Sequence, residues 1–272
     1  MPTVKIGDIE MFYAIHGEGE PLVMIQGLTM DSTGWAMQIA GLSQRYKLIV
    51  FDNRGAGQTG APKMPYTIKM MADDTAGLME ALDIDKAHVL GLSLGGMIAQ
   101  ELALNYPDKI SSLMLAASSA CHAGSRRASN VVATLLNMAM EGVSLELRAR
   151  MFMAWSFTEK FYQDPDNVKM TISMILANPH PQTVHGLAGQ VAASAQHDTR
   201  DRLDRIKAPT LVFVGSEDLL LPVSESEVLA SSIPGAELVV VEGAGHFFCF
   251  ELPQKFNRAV LDFLDRNYHR ST

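Results

Sequence analysis

The stretch His88-Val89-Leu90-Gly91-Leu92-Ser93-Leu94-Gly95-Gly96-Met97-Ile98-Ala99-Gln100 leaves a chain few ways to fold. It reads as a short apolar strand, a corner at Ser93, and a helix that begins at once. Glycines two before and two after the serine remove the side chains that would collide where a strand turns sharply into a helix. The corner lifts the Ser93 hydroxyl out of the sheet, and the helix start leaves free backbone N–H groups beside it. Five residues of this kind also occur by chance in surface turns. Val89-Leu90 before the corner, and Met97 to Ala103 after it, supply the strand and helix that a nucleophile elbow requires.

The rest of the chain alternates in the same way. Val4 to Ile6 and Ile9 to Ile15, split at Gly7-Asp8, read as an opening hairpin. Leu22 to Ile25, Lys47 to Phe51, Ile110 to Ala116, Thr210 to Val214 and Glu237 to Val241 read as strands. The apolar runs among them suit a parallel sheet buried on both faces. Helical periodicity falls at Met37 to Ser43, Ile68 to Leu82, after the elbow, and at Phe256 to Arg266. Such alternation implies a parallel sheet with right-handed crossovers and a site at the carboxyl ends of its strands.

The rhythm breaks at about Cys121. From there to Thr199 only helical periodicity is found, at Val131 to Met140, Leu145 to Ala154, Val168 to Ala177 and Thr183 to Ala193. We therefore expect a sheet domain built from residues 1–120 and 200–272, with residues 121–199 inserted as a helical cap. The 272 residues suffice for one such domain with a large core. The cap carries Met138, Met140, Met151, Met153, Met170 and Met174 with Trp155 and Phe157. That set is expected to be mainly core, with some members lining an adaptable pocket.

Composition narrows the partners. A net charge of −8 without any basic run argues against nucleic acid. No apolar h-region opens the chain and no long apolar run follows, so no membrane span and a cytoplasmic location are expected. Cys121 and Cys249 have no metal-binding or redox spacing and read as buried thiols. No metal and no cofactor is expected. The run Gly55-Ala56-Gly57-Gln58-Thr59-Gly60 imitates a dinucleotide fingerprint. A dinucleotide site needs a helix next, whereas Ala61-Pro62-Lys63-Met64-Pro65 follows, so the run reads as a loop.

A serine nucleophile needs a base within hydrogen-bond reach, itself oriented by a carboxylate. On an α/β sheet the order is serine, acid, histidine. Asp218 directly follows the strand at Thr210 to Val214, and His246 directly follows the strand at Glu237 to Val241. Both therefore fall at strand ends. Glu217 is the alternative acid. His16, His88, His122, His180, His185, His197 and His269 fit the role of base less well and read as surface or pocket-lining residues.

These motifs together resemble the α/β-hydrolase superfamily, in its group of small cap-bearing esterases and lactonases. Gly91-Leu92-Ser93-Leu94-Gly95-Gly96 resembles the elbow of that family, and Asp52-Asn53-Arg54-Gly55-Ala56-Gly57 its Asp-x-Arg-Gly-x-Gly loop. Asp218 with Pro222 resembles its acid turn, and Gly245-His246 its histidine turn. Gln26-Gly27-Leu28 matches its oxyanion loop, where His-Gly is commoner. The resemblance implies a mostly parallel eight-stranded sheet flanked by helices, with Ser93, Asp218 and His246 catalytic. It implies an oxyanion hole from the backbone N–H groups of Leu28 and Leu94, and a substrate pocket touched by Gln26, Met30, Trp155, Leu220 and Phe247. The expected activity is hydrolysis of a small carboxylic ester or lactone, nearest in flavour to 3-oxoadipate enol-lactonase. Cleavage of a C–C bond, cofactor-free perhydrolysis, or ligand binding without turnover are the alternatives. A lactonase acting on a diacid needs a cation for the second carboxylate; Arg126-Arg127 is the candidate, although the favoured reading of that pair is a solvated helix start. Oligomeric state is not legible.

Overall fold

The computed structural model describes residues 2–63 and 65–268. Met1, Met64 and the tail containing His269 lie outside the described residues. Eight strands form one sheet: β1 (Thr3–Ile6), β2 (Ile9–His16), β3 (Glu20–Ile25), β4 (Tyr46–Phe51), β5 (Ala87–Leu92), β6 (Ile110–Ala116), β7 (Thr210–Gly215) and β8 (Glu237–Val241). Their order across the sheet is β1-β2-β4-β3-β5-β6-β7-β8. Only the β1–β2 and β2–β4 pairs are antiparallel. From β4 to β8 every neighbour is parallel.

The central strands are apolar because both of their faces are covered. β5 and β7 are buried along their whole length, as parallel strands flanked by helices must be. Helices α1 (Ala36–Leu42), α2 (Ile68–Ala81) and α3 (Leu94–Asn105) connect the first half of the sheet. Thr67 caps α2 by accepting from the Met70 N–H at 3.0 Å, the ordinary service of a threonine N-cap. The last helix, α11 (Pro253–Tyr268), starts three residues before its periodicity predicts. It buries Phe256, Val260, Phe263 and Leu264, one stripe at 3.6-residue spacing. Phe256 packs on Phe213 of β7 with ring centroids 4.9 Å apart.

Between β6 and β7 the chain forms five helices: α4 (Arg126–Met140), α5 (Leu145–Ser156), α6 (Glu159–Tyr162), α7 (Pro165–Ala177) and α8 (Val184–Ala195). The ends of this insertion lie side by side. Thr199 N–H donates to Ala120 O at 2.8 Å, and His122 N–H donates to His197 O at 3.1 Å. Cys121 and Asp198 form an isolated antiparallel bridge. The chain thus leaves the sheet and returns through one narrow neck. The methionines of the insertion divide in a way the periodicity does not indicate. Met153 is buried, whereas Met140, Met170 and Met174 are exposed.

Two further helices complete the chain, α9 (Val223–Ser232) and the single turn α10 (Phe248–Glu251). Neither is visible in the hydrophobic pattern. α9 buries only Ser226 and Leu229, too little to leave a stripe.

Candidate active site

Ser93 sits between β5 and α3 with φ +54° and ψ −114°. A serine is held there only because its surroundings over-determine the corner. Ser93 N–H donates to Ala116 O at 2.8 Å, and Ser93 O accepts from the N–H groups of Gly96 and Met97. The glycines on either side are obligatory. A Cβ on Gly91 would lie 2.2 Å from Gly95 O, and one on Gly95 would lie 2.1 Å from Ile25 O.

Parallel register sets what stands next to the corner. Ile25 of β3 pairs with Gly91 of β5, so the loop after β3 emerges level with Ser93. A Cβ on Gly27 would sit 3.3 Å from Ser93 Cβ. Gln26 is buried, and its side-chain oxygen accepts from the Gly27 N–H at 3.1 Å. Asn53 Nδ2 donates to Gln26 O at 2.9 Å, and Asp52 Oδ1 accepts from Ser32 N–H at 2.7 Å. The loop after β4 therefore braces the loop after β3 from both ends. Burial raises the Asp52 carboxyl above its usual range, partly offset by these backbone N–H donors. Leu28 and Leu94, with N–H groups that the expected oxyanion hole requires, both line the cavity over Ser93.

The acid and histidine turns meet beyond β7 and β8. Gly215 closes β7 so tightly that a Cβ there would lie 2.1 Å from Ala244 O. Asp218 Oδ1 accepts from the N–H groups of Leu220 at 2.9 Å and Leu221 at 2.8 Å. Its other oxygen, Oδ2, is 2.7 Å from His246 Nδ1. An ionised carboxylate only accepts, so Nδ1 carries the proton and Nε2 is left as the basic nitrogen. Glu217, the alternative acid, is exposed, and its backbone N–H bonds Ala244 O. Ser93 and His246 both line one cavity.

That cavity, of about 60 Å³, is mainly apolar. Its floor is Gly27, Leu28, Ser93, Leu94, Met97 and His246. Its walls are His122, Ala128, Val132, Phe152 and Ser194 from the insertion, with Leu220, Leu221 and Phe247 from the turns. Of the five expected pocket residues, Leu220 and Phe247 line it, while Gln26, Met30 and Trp155 do not. Gln26, the first residue of the loop after β3, is fully buried, and its side chain and that of Met30 both reach toward Gly34. Trp155 is half-exposed under the Arg127 guanidinium, 5.8 Å from its ring centroid. Arg127 also donates to Leu219 O at 3.2 Å, and neither Arg126 nor Arg127 lines the cavity. Both are committed to, or near, the outer surface, because α4 starts five residues before its apolar stripe.

The other histidines have separate positions. His88 is held by Ser112 Oγ at 2.8 Å and Glu20 at 3.1 Å. His185 contacts Pro62 O at 2.9 Å and His180 is exposed. His122 joins the cavity wall, where burial lowers its basicity. His197 is buried, and no side chain pairs with either ring nitrogen. Among the described residues no group of three His, Cys, Asp or Glu side chains is placed to hold a metal. Cys121 and Cys249 are free and buried. No described helix is long and apolar enough to cross a membrane. The glycine-rich run at 55–60 is a loop, and the next helix starts only at Ile68.

Sequence reasoning did not single out Phe152, Val132 or Ser194 as cavity residues, and treated His122 only as one of several lining candidates. Ser125 offers the one local signal for α4, a serine whose hydroxyl accepts from the Ala128 N–H at 3.1 Å. The polar residues that follow it hide the helix start.

Residues 20–253 match the family described as alpha/beta hydrolase fold. A 3-oxoadipate enol-lactonase from Acinetobacter baylyi is 30% identical over 261 residues, covering 95% of this chain and 94% of that protein. A relative from Azorhizobium caulinodans, provisionally named carbamate hydrolase RutD, is 30% identical over 267 residues, covering 97% and 98% of the two chains. The solved structure of a thermophilic esterase from Thermogutta terrifontis superposes with a TM-score of 0.86 at 30% identity, covering 98% of this chain and 99% of that one.

Proposed function

The chain belongs to the alpha/beta hydrolase fold family, and on that premise we propose that it is a serine hydrolase cleaving small, uncharged carboxylic esters or lactones. The observation that carries this reading is the 2.7 Å bond between Asp218 and Nδ1 of His246, a residue that lines the same cavity as Ser93. In the proposed sequence Ser93 Oγ attacks the carbonyl carbon while His246 Nε2 takes its proton. Asp218 keeps the tautomer and stabilises the imidazolium. The N–H groups of Leu28 and Leu94 receive the developing oxyanion, where one donor is typically worth about 100- to 1,000-fold in rate. His246 returns the proton to the leaving alcohol. Water then attacks the acyl-enzyme with His246 again as base, and the acid leaves.

The walls favour an uncharged acyl group. The 14 lining residues include no Lys, Arg, Asp or Glu. A substrate carrying a second carboxylate would be stripped of water there without a counter-charge, which is costly. Simple esters and uncharged lactones are therefore preferred over the lactone of a diacid.

The test is turnover of p-nitrophenyl acetate and butyrate by wild type and Ser93→Ala, with fluorophosphonate adducts read by intact mass. One adduct per chain and turnover, both lost in Ser93→Ala by roughly 10⁴-fold or more in kcat, are expected. Dimethyl succinate is expected to be cleaved faster than monomethyl succinate. Absence of both labelling and turnover in wild type overturns the assignment, and preference for the monoester overturns the substrate class.

A further inference from the structure

Glu251 ends α10, five residues after His246, and no motif directs attention to it. Its Oε2 accepts from the Gly245 N–H at 2.7 Å. Its Oε1 accepts from the Thr158 N–H at 2.7 Å and the Thr158 hydroxyl at 2.8 Å. Three donors thus converge on one half-buried carboxylate, and no Lys or Arg among the described residues pairs with it.

The placement is specific to the histidine. Gly245 immediately precedes His246, and Phe247, which follows it, donates its N–H to Ser156 O at 3.1 Å. The His246–Phe247 peptide is therefore tied directly to the segment 156–158, where the insertion passes from α5 to α6, and the Ala244–Gly245 peptide is tied to it through Glu251. The approach is close: a Cβ on Gly245 would lie 2.8 Å from Ser156 O and 3.0 Å from Glu251 Oε2. Asp218 holds the ring of His246 through Nδ1, and the Glu251 clasp holds the backbone just before the ring.

We propose that Glu251 is a positioning residue for His246, locking the histidine turn to the insertion at Thr158 so that Nε2 points at Ser93. The proposal rests on the serine hydrolase reading above. Geometry of this kind carries rate, since a displacement of about 1 Å in a catalytic group costs on the order of 100-fold. It acts on chemistry rather than on substrate affinity, because Glu251 is not among the residues lining the cavity.

Glu251→Gln is the sharpest variant. It keeps the shape and one acceptor oxygen, but turns an NH₂ toward either Gly245 N–H or Thr158 N–H, so one end of the clasp opens. Active sites are counted by exhaustive fluorophosphonate labelling, and kcat for p-nitrophenyl butyrate is expressed per titrated site. The expected result is a 10- to 100-fold lower kcat per site with KM within about twofold of wild type. A kcat per site within twofold of wild type, whatever happens to thermal stability, overturns the proposal. Thr158→Val keeps the backbone donor but removes the hydroxyl donor, together with the weak 3.4 Å cap it gives the Phe161 N–H of α6, and is expected to lower kcat per site about threefold or more. Should Glu251→Gln yield no titratable sites, Thr158→Val decides, and an unchanged kcat there overturns the proposal. An inactive, unlabelled wild type would instead overturn the serine hydrolase reading itself.

Discussion

His197 lies in the neck where the insertion rejoins the sheet domain, and its burial makes a quantitative prediction. It is 5% exposed, and no side chain pairs with either ring nitrogen. Burial pushes its pKa from 6.5 down to about 4, only partly offset by the nearby charges of Glu101 and Asp198 and by the Ser119 backbone, while Arg202 adds to the depression. The folded protein therefore holds His197 neutral while the unfolded chain takes up a proton at about pH 6.5. Stability from this group is complete above pH 6.5 and is lost as the pH falls toward 4. The full difference is roughly 3 kcal/mol, and about 2 kcal/mol of it disappears between pH 7.5 and 5. Urea unfolding of wild type and His197→Gln at pH 7.5, 6.5, 5.5 and 5 isolates the effect. Carboxylates titrate equally in both proteins and cancel. Wild type should lose about 2 kcal/mol relative to the variant across this range, roughly 1 M in urea midpoint. Parallel stability profiles for the two proteins would refute the reasoning, because a non-titrating neighbour would then behave as His197 does.

Two other outcomes follow from the same structure. Asp218→Asn keeps its size, but with its oxygen held by the Leu220 and Leu221 N–H groups its NH₂ donates to Nδ1 and leaves the proton on Nε2, the wrong tautomer, so kcat for p-nitrophenyl butyrate should fall about 10⁴-fold with little change in KM. A loss below tenfold would mean that another group orients His246. Arg54 reaches Asp74 through Nε at 2.5 Å and Nη2 at 2.7 Å, with both side chains buried. Arg54→Met strands a buried carboxylate and should cost about 3–5 kcal/mol in unfolding free energy. Double replacement with Asp74→Leu should recover much of that loss, and its failure to do so would assign the damage to packing instead.

Local chemistry made most of the architecture legible. Strand and helix periods differ, so apolar runs such as Thr210 to Val214 and stripes such as Phe256, Val260 and Phe263 declare their element without any partner. The corner at Ser93 is legible for a sharper reason. Any side chain at Gly91 or Gly95 would collide with backbone, so the glycines record the turn in the sequence itself. Asp218 and His246 stand out because strand ends on a parallel sheet all open at one edge. Chain order then leaves few residues that can meet there.

What the sequence determined by itself was therefore the sheet, the elbow and the three side chains whose positions follow from strand ends. Only the tertiary structure decided what surrounds them. Trp155 and Met140 share the composition of a pocket wall but face outward, while His122, Val132 and Phe152 face the cavity. A helix stripe shows that a face is buried, not which of several apolar surfaces buries it. The Glu251 clasp joins residues 93 positions apart, and the Arg127 contact with Leu219 joins residues 92 apart. Such pairs carry no local period. Their geometry is set by how the insertion settles on the sheet, where many small packing terms sum over contacts distant in the chain.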